Sequence, residues 1–169
     1  MGEITPPELL ESSHDTRGFD CGDIALNEWL QKRGLKNQTS DASRVYVITN
    51  RHRVIGYYAL ASGSVERMIV PGSIARNMPE TIPVIVLGRL AVDLDYHDQK
   101  LGSGLLKDAL IRCMLAADTI AAKAVMVHAI SDRAKQFYTK NSFVQCPEIE
   151  MTLFISIKKI RQLLKNETK

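Results

Sequence analysis

The sequence lacks several features that would assign it to a specialised class of protein. None of its apolar runs is long enough to cross a bilayer, and residues 1–10 lack the basic and then apolar pattern of a secretory signal. The three cysteines form no CxxC pair, and the four histidines show no metal-ligand spacing. We therefore expect a cytoplasmic protein with reduced thiols, no membrane segment and no bound metal.

Positive charge is scarce at the start of the chain and abundant in its middle. Residues 1–30 hold seven acidic residues and one basic residue, whereas residues 31–91 hold nine basic residues and three acidic ones. A segment this basic favours an anionic partner, and nucleic acid is the main candidate. The alternative is a solvated surface with scattered charges, and sequence spacing does not decide between the two.

The 169 residues, of which 45% are apolar and 24% charged, suit one soluble domain. The first half of the chain predicts a helix over 23–36 capped by Asp20 or Asp23, a hairpin of strands 44–49 and 54–62, and an irregular stretch over 65–83. A strand over 84–92, buried on both faces, is followed by a helix around 105–117 whose Lys107, Asp108 and Arg112 face outward. The remaining predicted elements are a strand over 123–130, a helix capped by Ser131 and a strand over 152–157. This order is typical of an α/β protein whose mixed sheet is flanked by helices.

The passage from strand to helix between Leu90 and Leu106 is the most informative stretch. Gly102-Ser103-Gly104 opens a helix soon after a buried strand. Backbone N–H groups at a helix start are unpaired, the helix dipole favours negative charge there, and glycine allows close approach, so this pattern favours a phosphate site. A tight turn without a ligand is the alternative, because GxG alone is a weak motif.

These residues resemble a known family, the GNAT acetyltransferases. The run Arg89-Leu90-Ala91-Val92, the loop 99–104 and Leu105-Leu106 resemble the acetyl-coenzyme A motif of that family, and Ala134-Lys135-Gln136-Phe137-Tyr138 with Asn141-Ser142-Phe143 resembles its second motif. The phrases Ile4-Thr5-Pro6-Pro7, Gly34-Leu35-Lys36-Asn37-Gln38 and Arg76-Asn77-Met78-Pro79 resemble a narrower group, the GNAT toxins of bacterial toxin–antitoxin pairs. The resemblance implies one GNAT domain over residues 1–157, followed by a basic tail over 158–169 that is a candidate helix.

The resemblance also implies roles for individual residues. The backbone of Leu90, Ala91 and Val92 would pair with the pantetheine arm, and Tyr138 would donate a proton to the departing thiolate, although Tyr138 also suits a core aromatic position. The pyrophosphate loop would comprise Gln99, Lys100, Leu101, Gly102, Ser103 and Gly104. The other side of the coenzyme would be lined by Ser131, Ala134 and Phe137.

Two positions depart from the pattern of the family. Lys100 stands where the loop usually has its first glycine, if Leu101-Gly102 and Leu105-Leu106 are aligned with the family. A second register, Gln99-x-x-Gly102-x-Gly104, fits the motif literally but shifts the helix by two residues. Ser142 stands where glycine usually precedes Phe143, and the neighbouring Asn141 can tolerate a left-handed turn, so we expect this departure to matter little.

The acceptor follows from the chemistry of amines. Only a neutral amine attacks a thioester, and an α-amine with a pKa of about 7.7–8.0 needs less help than a lysine at about 10.4. No carboxylate stands out as a base, since loop acids such as Glu66, Asp93 and Asp95 are more often caps or surface charges. A site without an evident base is better matched to an α-amine, which agrees with the charged tRNA that the resemblance implies. The candidate bases for its phosphates are Lys32, Arg33, Lys36, Arg76 and Arg89, and the alternative for each is an ordinary surface or ion-pair base.

The function implied by the resemblance is a toxin that acetylates aminoacyl-tRNA and so blocks translation. The implied co-substrate is acetyl-coenzyme A, and the implied partners are a ribbon-helix-helix antitoxin and a second copy of the chain. Two alternatives stay open: an N-acetyltransferase that acts on a small-molecule or protein amine, and a coenzyme-binding protein that has lost catalysis.

Overall fold

The computed structural model describes residues 3–167. Their strands form one mixed sheet, and helices connect several of the strands. The strands are β1 (Glu8–Leu9), β2 (Arg44–Asn50), β3 (Arg53–Glu66), β4 (Thr81–Val92), β5 (Ala124–His128), β6 (Val144–Gln145) and β7 (Thr152–Ser156). The helices are α1 (Ile24–Trp29), α2 (Leu35–Thr39), α3 (Gly72–Ala75), α4 (Leu101–Thr119), α5 (Asp132–Lys140) and α6 (Ile157–Glu167). The strand order β1-β2-β3-β4-β5-β7-β6 confirms the predicted α/β class with a mixed sheet. No helix among the described residues is both long and apolar enough to cross a membrane.

The chain divides into two compact units. The first contains residues 3–61 and 88–109, and the second contains residues 62–87 and 110–167. The divisions fall within β3 and β4, so each of these strands contributes to both units. Each unit has a hydrophobic core of its own.

The first unit contains the predicted hairpin. β2 and β3 pair antiparallel from Arg44↔Leu60 to Asn50↔Arg53, and the two loop residues Arg51 and His52 have φ of 53° and 68°. Positive φ at both central residues is the type I′ geometry that matches the twist of paired strands. The predicted first helix is confirmed, and Asp23 rather than Asp20 is its cap, because the Asp23 carboxylate accepts the Leu26 N–H at 3.0 Å.

The second unit contains the parallel part of the sheet. Val84–Leu87 of β4 pair parallel with Ala124–Val127 of β5, and β7 pairs antiparallel with β5 and β6. The core of this unit is formed by apolar side chains of the sheet and of the segment 65–78, among them Ile82, Met126 and Phe154. The predicted strands over 123–130 and 152–157 are therefore confirmed with ends shifted by one or two residues.

Several elements differ from the sequence-based expectation. The two-residue strands β1 and β6 were not predicted, because two residues show no periodicity. The irregular stretch 65–83 contains a 3-10 turn (Arg67–Ile69) and α3, and the residues before α4 form a 3-10 helix over Leu94–Gln99. The candidate helix in the tail is present as α6, while residues 168–169 of that prediction lie outside the described part.

Two burial predictions were wrong. In β4, Leu87 and Ala91 are buried but Ile85 and Leu90 are half-exposed, so the strand is not buried on both faces along its length. Asp108 does not simply face outward, because the hydroxyl of buried Tyr58 donates a hydrogen bond to its carboxylate. A sequence pattern shows how apolar a residue is, but not which polar partner it meets.

Candidate active site

The buried carboxylate of Asp93 fixes the chain where β4 ends. It is 2% exposed, and its oxygens accept hydrogen bonds from the N–H groups of Asp20 at 3.1 Å and Asp95 at 3.0 Å. Arg53 Nη2 donates to the same carboxylate at 3.1 Å, and Leu94 N–H donates to the Asp20 carbonyl at 2.9 Å. A buried charge is stable only when paired and hydrogen-bonded in this way. Asp93 thereby joins three segments of the first unit, and none of these partners is visible in the sequence.

Lys100 ends the 3-10 helix that Asp93 caps, and its backbone is left-handed. Its φ is 57° and ψ is 24°. This conformation costs a non-glycine residue about 1–2 kcal/mol, so a position of this shape favours glycine. The register that aligns Lys100 with the first glycine of the loop thus has a structural reason, and the Lys100 side chain is exposed.

The start of α4 is open to a ligand. A Cβ added to Gly104 would meet nothing within 4 Å, and one added to Gly102 would meet only Val92 Cγ2 at 3.9 Å. Neither glycine has positive φ, so neither the backbone nor the packing requires glycine here. The N–H of Gly104 donates to the Lys100 carbonyl at 3.2 Å, so this is the first turn of the helix, where the preceding amides have no helical acceptor. Bare glycines at a helix start fit the close approach of an anionic group.

The last residues of β4 differ in exposure and in whether their carbonyls are available to a ligand. Ala91 is 6% exposed, whereas Leu90 and Val92 are half-exposed. The Val92 carbonyl lies 2.7 Å from His97 Nε2, which donates to it if that nitrogen carries the proton. His97 was missed in the sequence because a histidine five residues after a strand carries no motif. Its contact leaves fewer carbonyls of β4 available for a ligand.

Arg89 is held against an aromatic stack. Its guanidinium carbon lies 4.2 Å from the centroid of the Trp29 ring, and the Trp29 ring stacks on Tyr57 at 6.0 Å with an interplanar angle of 9°. The Tyr57 hydroxyl donates to the Leu26 carbonyl at 2.7 Å, which fixes the stack to α1. Burial lowers the pKa of Arg89 from its usual value, but arginine stays charged. Trp29 was predicted only as an apolar helix residue.

The other predicted bases of the first unit follow Trp29 along the helix. A wide π-helical turn, Leu30–Gly34, joins α1 to α2 and carries Lys32 and Arg33, and α2 carries Lys36. All three bases are exposed, and Lys32 Nζ lies 3.5 Å from Glu28 Oε1. Such turns are frequent at functional sites.

In the second unit, α5 presents the predicted acid. Tyr138 is 7% exposed, and its ring centroid lies 5.2 Å from those of Phe137 and Phe143. Burial raises the pKa of Tyr138 to about 12, so the phenol keeps its proton at neutral pH. Ala134 and Phe137 are half-buried on the same helix, and the Ser131 hydroxyl caps it by accepting the Ala134 N–H at 3.1 Å.

The turn after α5 has its left-handed residue at Ser142. Asn141 has φ of −100° and does not take the left-handed conformation, whereas Ser142 has φ of 73°. The residue at the usual glycine position therefore adopts the backbone that glycine favours, as Lys100 does. The remaining predicted base, Arg76, is exposed at the end of α3 in this unit.

Comparison with known proteins gives a consistent picture. A family model described as an acetyltransferase (GNAT) domain matches residues 41–145. A tRNA-acetylating toxin of Mycobacterium tuberculosis is 41% identical over 164 residues, which cover 97% of this chain and 99% of that protein.

Two solved structures are similar along nearly their whole length. AtaT complexed with acetyl-methionyl-tRNAfMet is 29% identical with a TM-score of 0.89, over 96% of this chain and 99% of that one. A mutant AtaT toxin bound to acetyl-CoA and to the C-terminus of the antitoxin AtaR is 28% identical with a TM-score of 0.83, over 96% and 99%.

Proposed function

This chain belongs to the GNAT acetyltransferase family, and we propose that it transfers acetyl from acetyl-coenzyme A to the α-amine of aminoacyl-tRNA. The observation that carries the proposal is the 41% identity to a tRNA-acetylating toxin across 97% of the chain. An N-acetylated amino acid has no nucleophilic amine for peptide elongation, so the product would block translation.

The start of α4 is our candidate for the phosphates of the coenzyme. The open glycines Gly102 and Gly104 and the first-turn amides fit an anionic group, and the exposed Lys100 adds a positive charge beside them. The half-exposed Leu90 and Val92 suit contact with an extended arm along β4. The remaining candidates for the coenzyme are Ala91, Gln99, Leu101, Ser103, Ser131, Ala134 and Phe137. When bound, the coenzyme supplies an acetyl thioester.

Tyr138 is our candidate for the general acid. Its Oη carries a proton over the whole physiological range, because its pKa is raised to about 12. Among residues 3–167 its hydroxyl makes no hydrogen bond, so that proton is not committed to another acceptor. Burial makes the phenol a weaker acid, but it also disfavours a free thiolate, so the proton can still pass to the departing sulfur.

The attacking amine needs little help from the protein. A substantial fraction of an α-amine with a pKa of about 7.7–8.0 is already neutral at pH 7.5. Asp93 and Asp95 are not suited to act as its base, because Asp93 is buried and both lie beside Arg53. The α-amine of a charged tRNA is therefore a better acceptor for this site than a lysine side chain.

The phosphates of tRNA would meet the exposed bases. Lys32, Arg33 and Lys36 lie on one helical segment, and Arg89 is held over Trp29 where that segment begins. Arg76 lies in the other unit and would be a separate contact. Cationic side chains bind the phosphate backbone of tRNA without reading its sequence, which suits an enzyme that recognises the aminoacylated end of the tRNA.

The proposal extends to the context of the enzyme. We propose a ribbon-helix-helix antitoxin as its natural inhibitor, a homodimer as its oligomeric state and the cytoplasm as its location. We also propose that residues 1–157 form the catalytic domain and residues 158–169 a basic C-terminal extension. The structure of AtaT bound to the C-terminus of the antitoxin AtaR supports an antitoxin partner by analogy.

Transfer of labelled acetyl to a panel of acceptors tests the proposal. The panel comprises charged tRNA, deacylated tRNA, free amino acids, an aminoglycoside and a lysine peptide, each with acetyl-coenzyme A. We expect label on charged tRNA alone, removed when the aminoacyl ester is hydrolysed. Label on the small amines instead would establish the alternative enzyme, and coenzyme binding without any transfer would establish a non-catalytic protein.

A further inference from the structure

The second unit contains an open depression, and its lining includes Arg76, which is already a candidate contact for tRNA. Its volume is about 580 Å³, and it is lined by Arg67, Gly72, Ser73, Ala75, Arg76 and Asn77. The lining thus contains two guanidinium groups, a hydroxyl and a side-chain amide. The exposed carboxylates nearest in sequence, Glu66 and Glu80, are not part of it. A depression with this lining favours an anion rather than an apolar ligand.

The segment that forms the depression is firmly held. Ile74 is 3% exposed within the core of the unit, and the N–H of Arg67 donates to the Glu80 carbonyl at 2.7 Å. The turn after α3 is closed by the Met78 N–H, which donates to the Ala75 carbonyl at 3.1 Å. The depression is therefore built on an anchored loop rather than on a free one.

Arg67 and Arg76 both have guanidinium N–H groups that are available to a ligand. Arg67 Nη1 donates to the Met78 carbonyl at 3.0 Å, which orients the guanidinium and leaves its other N–H groups available. Arg76 is exposed, and within residues 3–167 its side chain makes no hydrogen bond or ion pair. Gly72 adds room, since a Cβ there would meet nothing within 4 Å. Guanidinium forks match phosphate oxygens in pairs.

We infer that this depression binds a phosphodiester group of the single-stranded 3′ end of tRNA, with Arg67 and Arg76 as its two ligands. This inference rests on the proposed function, and it adds Arg67, Ser73 and Asn77 to the RNA surface. Single-stranded nucleic acid is bound in positively charged grooves that follow its backbone. Coenzyme A also carries phosphates, and the KM for acetyl-coenzyme A distinguishes the two ligands.

The test measures affinity for deacylated tRNA and for the same tRNA trimmed of its single-stranded 3′ end, with Arg67→Gln and Arg76→Gln. Each variant should weaken binding of the intact tRNA roughly tenfold and reduce the salt slope by about 0.7, with no change for trimmed tRNA. Arg76→Gln is the cleaner variant, because Arg67 also supports the loop. The matched control, Arg51→Gln, removes an exposed charge from the hairpin of the first unit and should change affinity less than twofold.

The other results each contradict the inference. Equal weakening with trimmed tRNA or in Arg51→Gln would indicate a general effect of charge, and a raised KM for acetyl-coenzyme A would assign the depression to the coenzyme. If the wild type acetylates charged tRNA while both variants bind like the wild type, only the depression is wrongly assigned. If the wild type neither binds nor acetylates tRNA, the proposed function fails and this inference with it.

Discussion

The two regions that carry the candidate residues are held by different forces. The loop between β4 and α4 is fixed by polar contacts that converge on one buried carboxylate, Asp93. The helix α5 is fixed by apolar packing, with Tyr138 against Phe137 and Phe143. Under the proposed roles, polar anchoring suits a loop that presents amides to phosphates, and apolar packing suits an acid that holds its proton until the sulfur departs. We therefore propose a division of labour, in which the first region binds the coenzyme and the second transfers the proton.

The largest effect should come from removing the proposed acid on α5, Tyr138. Tyr138→Phe keeps the ring and its packing but removes the proton, so kcat should fall about 10²–10⁴-fold. The measurement is single-turnover acetyl transfer to charged tRNA, with melting temperature and coenzyme affinity as controls. A variant with near-normal kcat would show that Tyr138 only packs in the core.

Breaking the polar anchor should act on stability instead. Asp93→Ala leaves Arg53 and two backbone N–H groups without their acceptor, so the free energy of unfolding should fall by about 3–5 kcal/mol. Urea unfolding measures this change. Asp95→Ala is the matched control, because Asp95 is exposed and its carboxylate lies 3.8 Å from the same Arg53. A loss of similar size in both variants would contradict the central role of Asp93.

The apolar environment of Tyr138 should be visible at high pH. Its folded-state pKa is raised to about 12 from 10.0, so the folded state keeps the proton longer than the unfolded state does. The resulting stability is fully present below pH 10 and is lost as the pH rises through about 12, by about 2–3 kcal/mol in total. The free energy of unfolding measured from pH 9 to 12 tests this loss. Tyr138→Phe should lose less stability than the wild type over that range. Parallel curves for the two proteins would mean that the phenol is not desolvated.

The smallest effects concern the two left-handed residues, one in each region. Lys100→Gly and Ser142→Gly should each raise the free energy of unfolding by about 0.5–1 kcal/mol, because glycine relieves the left-handed backbone strain. The gain is partly offset because glycine also increases the conformational entropy of the unfolded chain. Gln99→Gly and Asn141→Gly are the controls, since neither residue has positive φ and both should lose stability. Thermal unfolding of the four variants decides whether the strain exists.

The two regions also differ in how far the sequence predicts them. The strands β2 to β5 and the helix α5 follow from apolar periodicity and from caps such as Ser131, because these depend on neighbouring residues. The partners of Asp93 are 40 and 73 residues away at Arg53 and Asp20, and no local pattern encodes such contacts. For the same reason the stacking of Arg89 on Trp29 could not be predicted.

The local sequence pattern also did not predict which residue takes a left-handed backbone conformation. The family resemblance marked positions 100 and 142 as unusual for lacking glycine. Only the structure assigns the left-handed turn to Ser142 itself rather than to Asn141. A polar residue tolerates such a conformation in isolation, but which of two neighbours adopts it depends on the helix end and on how the chain continues into β6.

The division of labour is tested most directly by the steady-state kinetics of Asp93→Asn and Tyr138→Phe, with acetyl-coenzyme A varied at saturating charged tRNA. Asp93→Asn keeps the shape of the side chain but removes the charge that holds Arg53, so we expect a several-fold rise in KM for acetyl-coenzyme A and little change in kcat. Tyr138→Phe should show the reverse, a large fall in kcat with KM nearly unchanged. If both variants change the same parameter, the two regions do not divide the work and the account is contradicted.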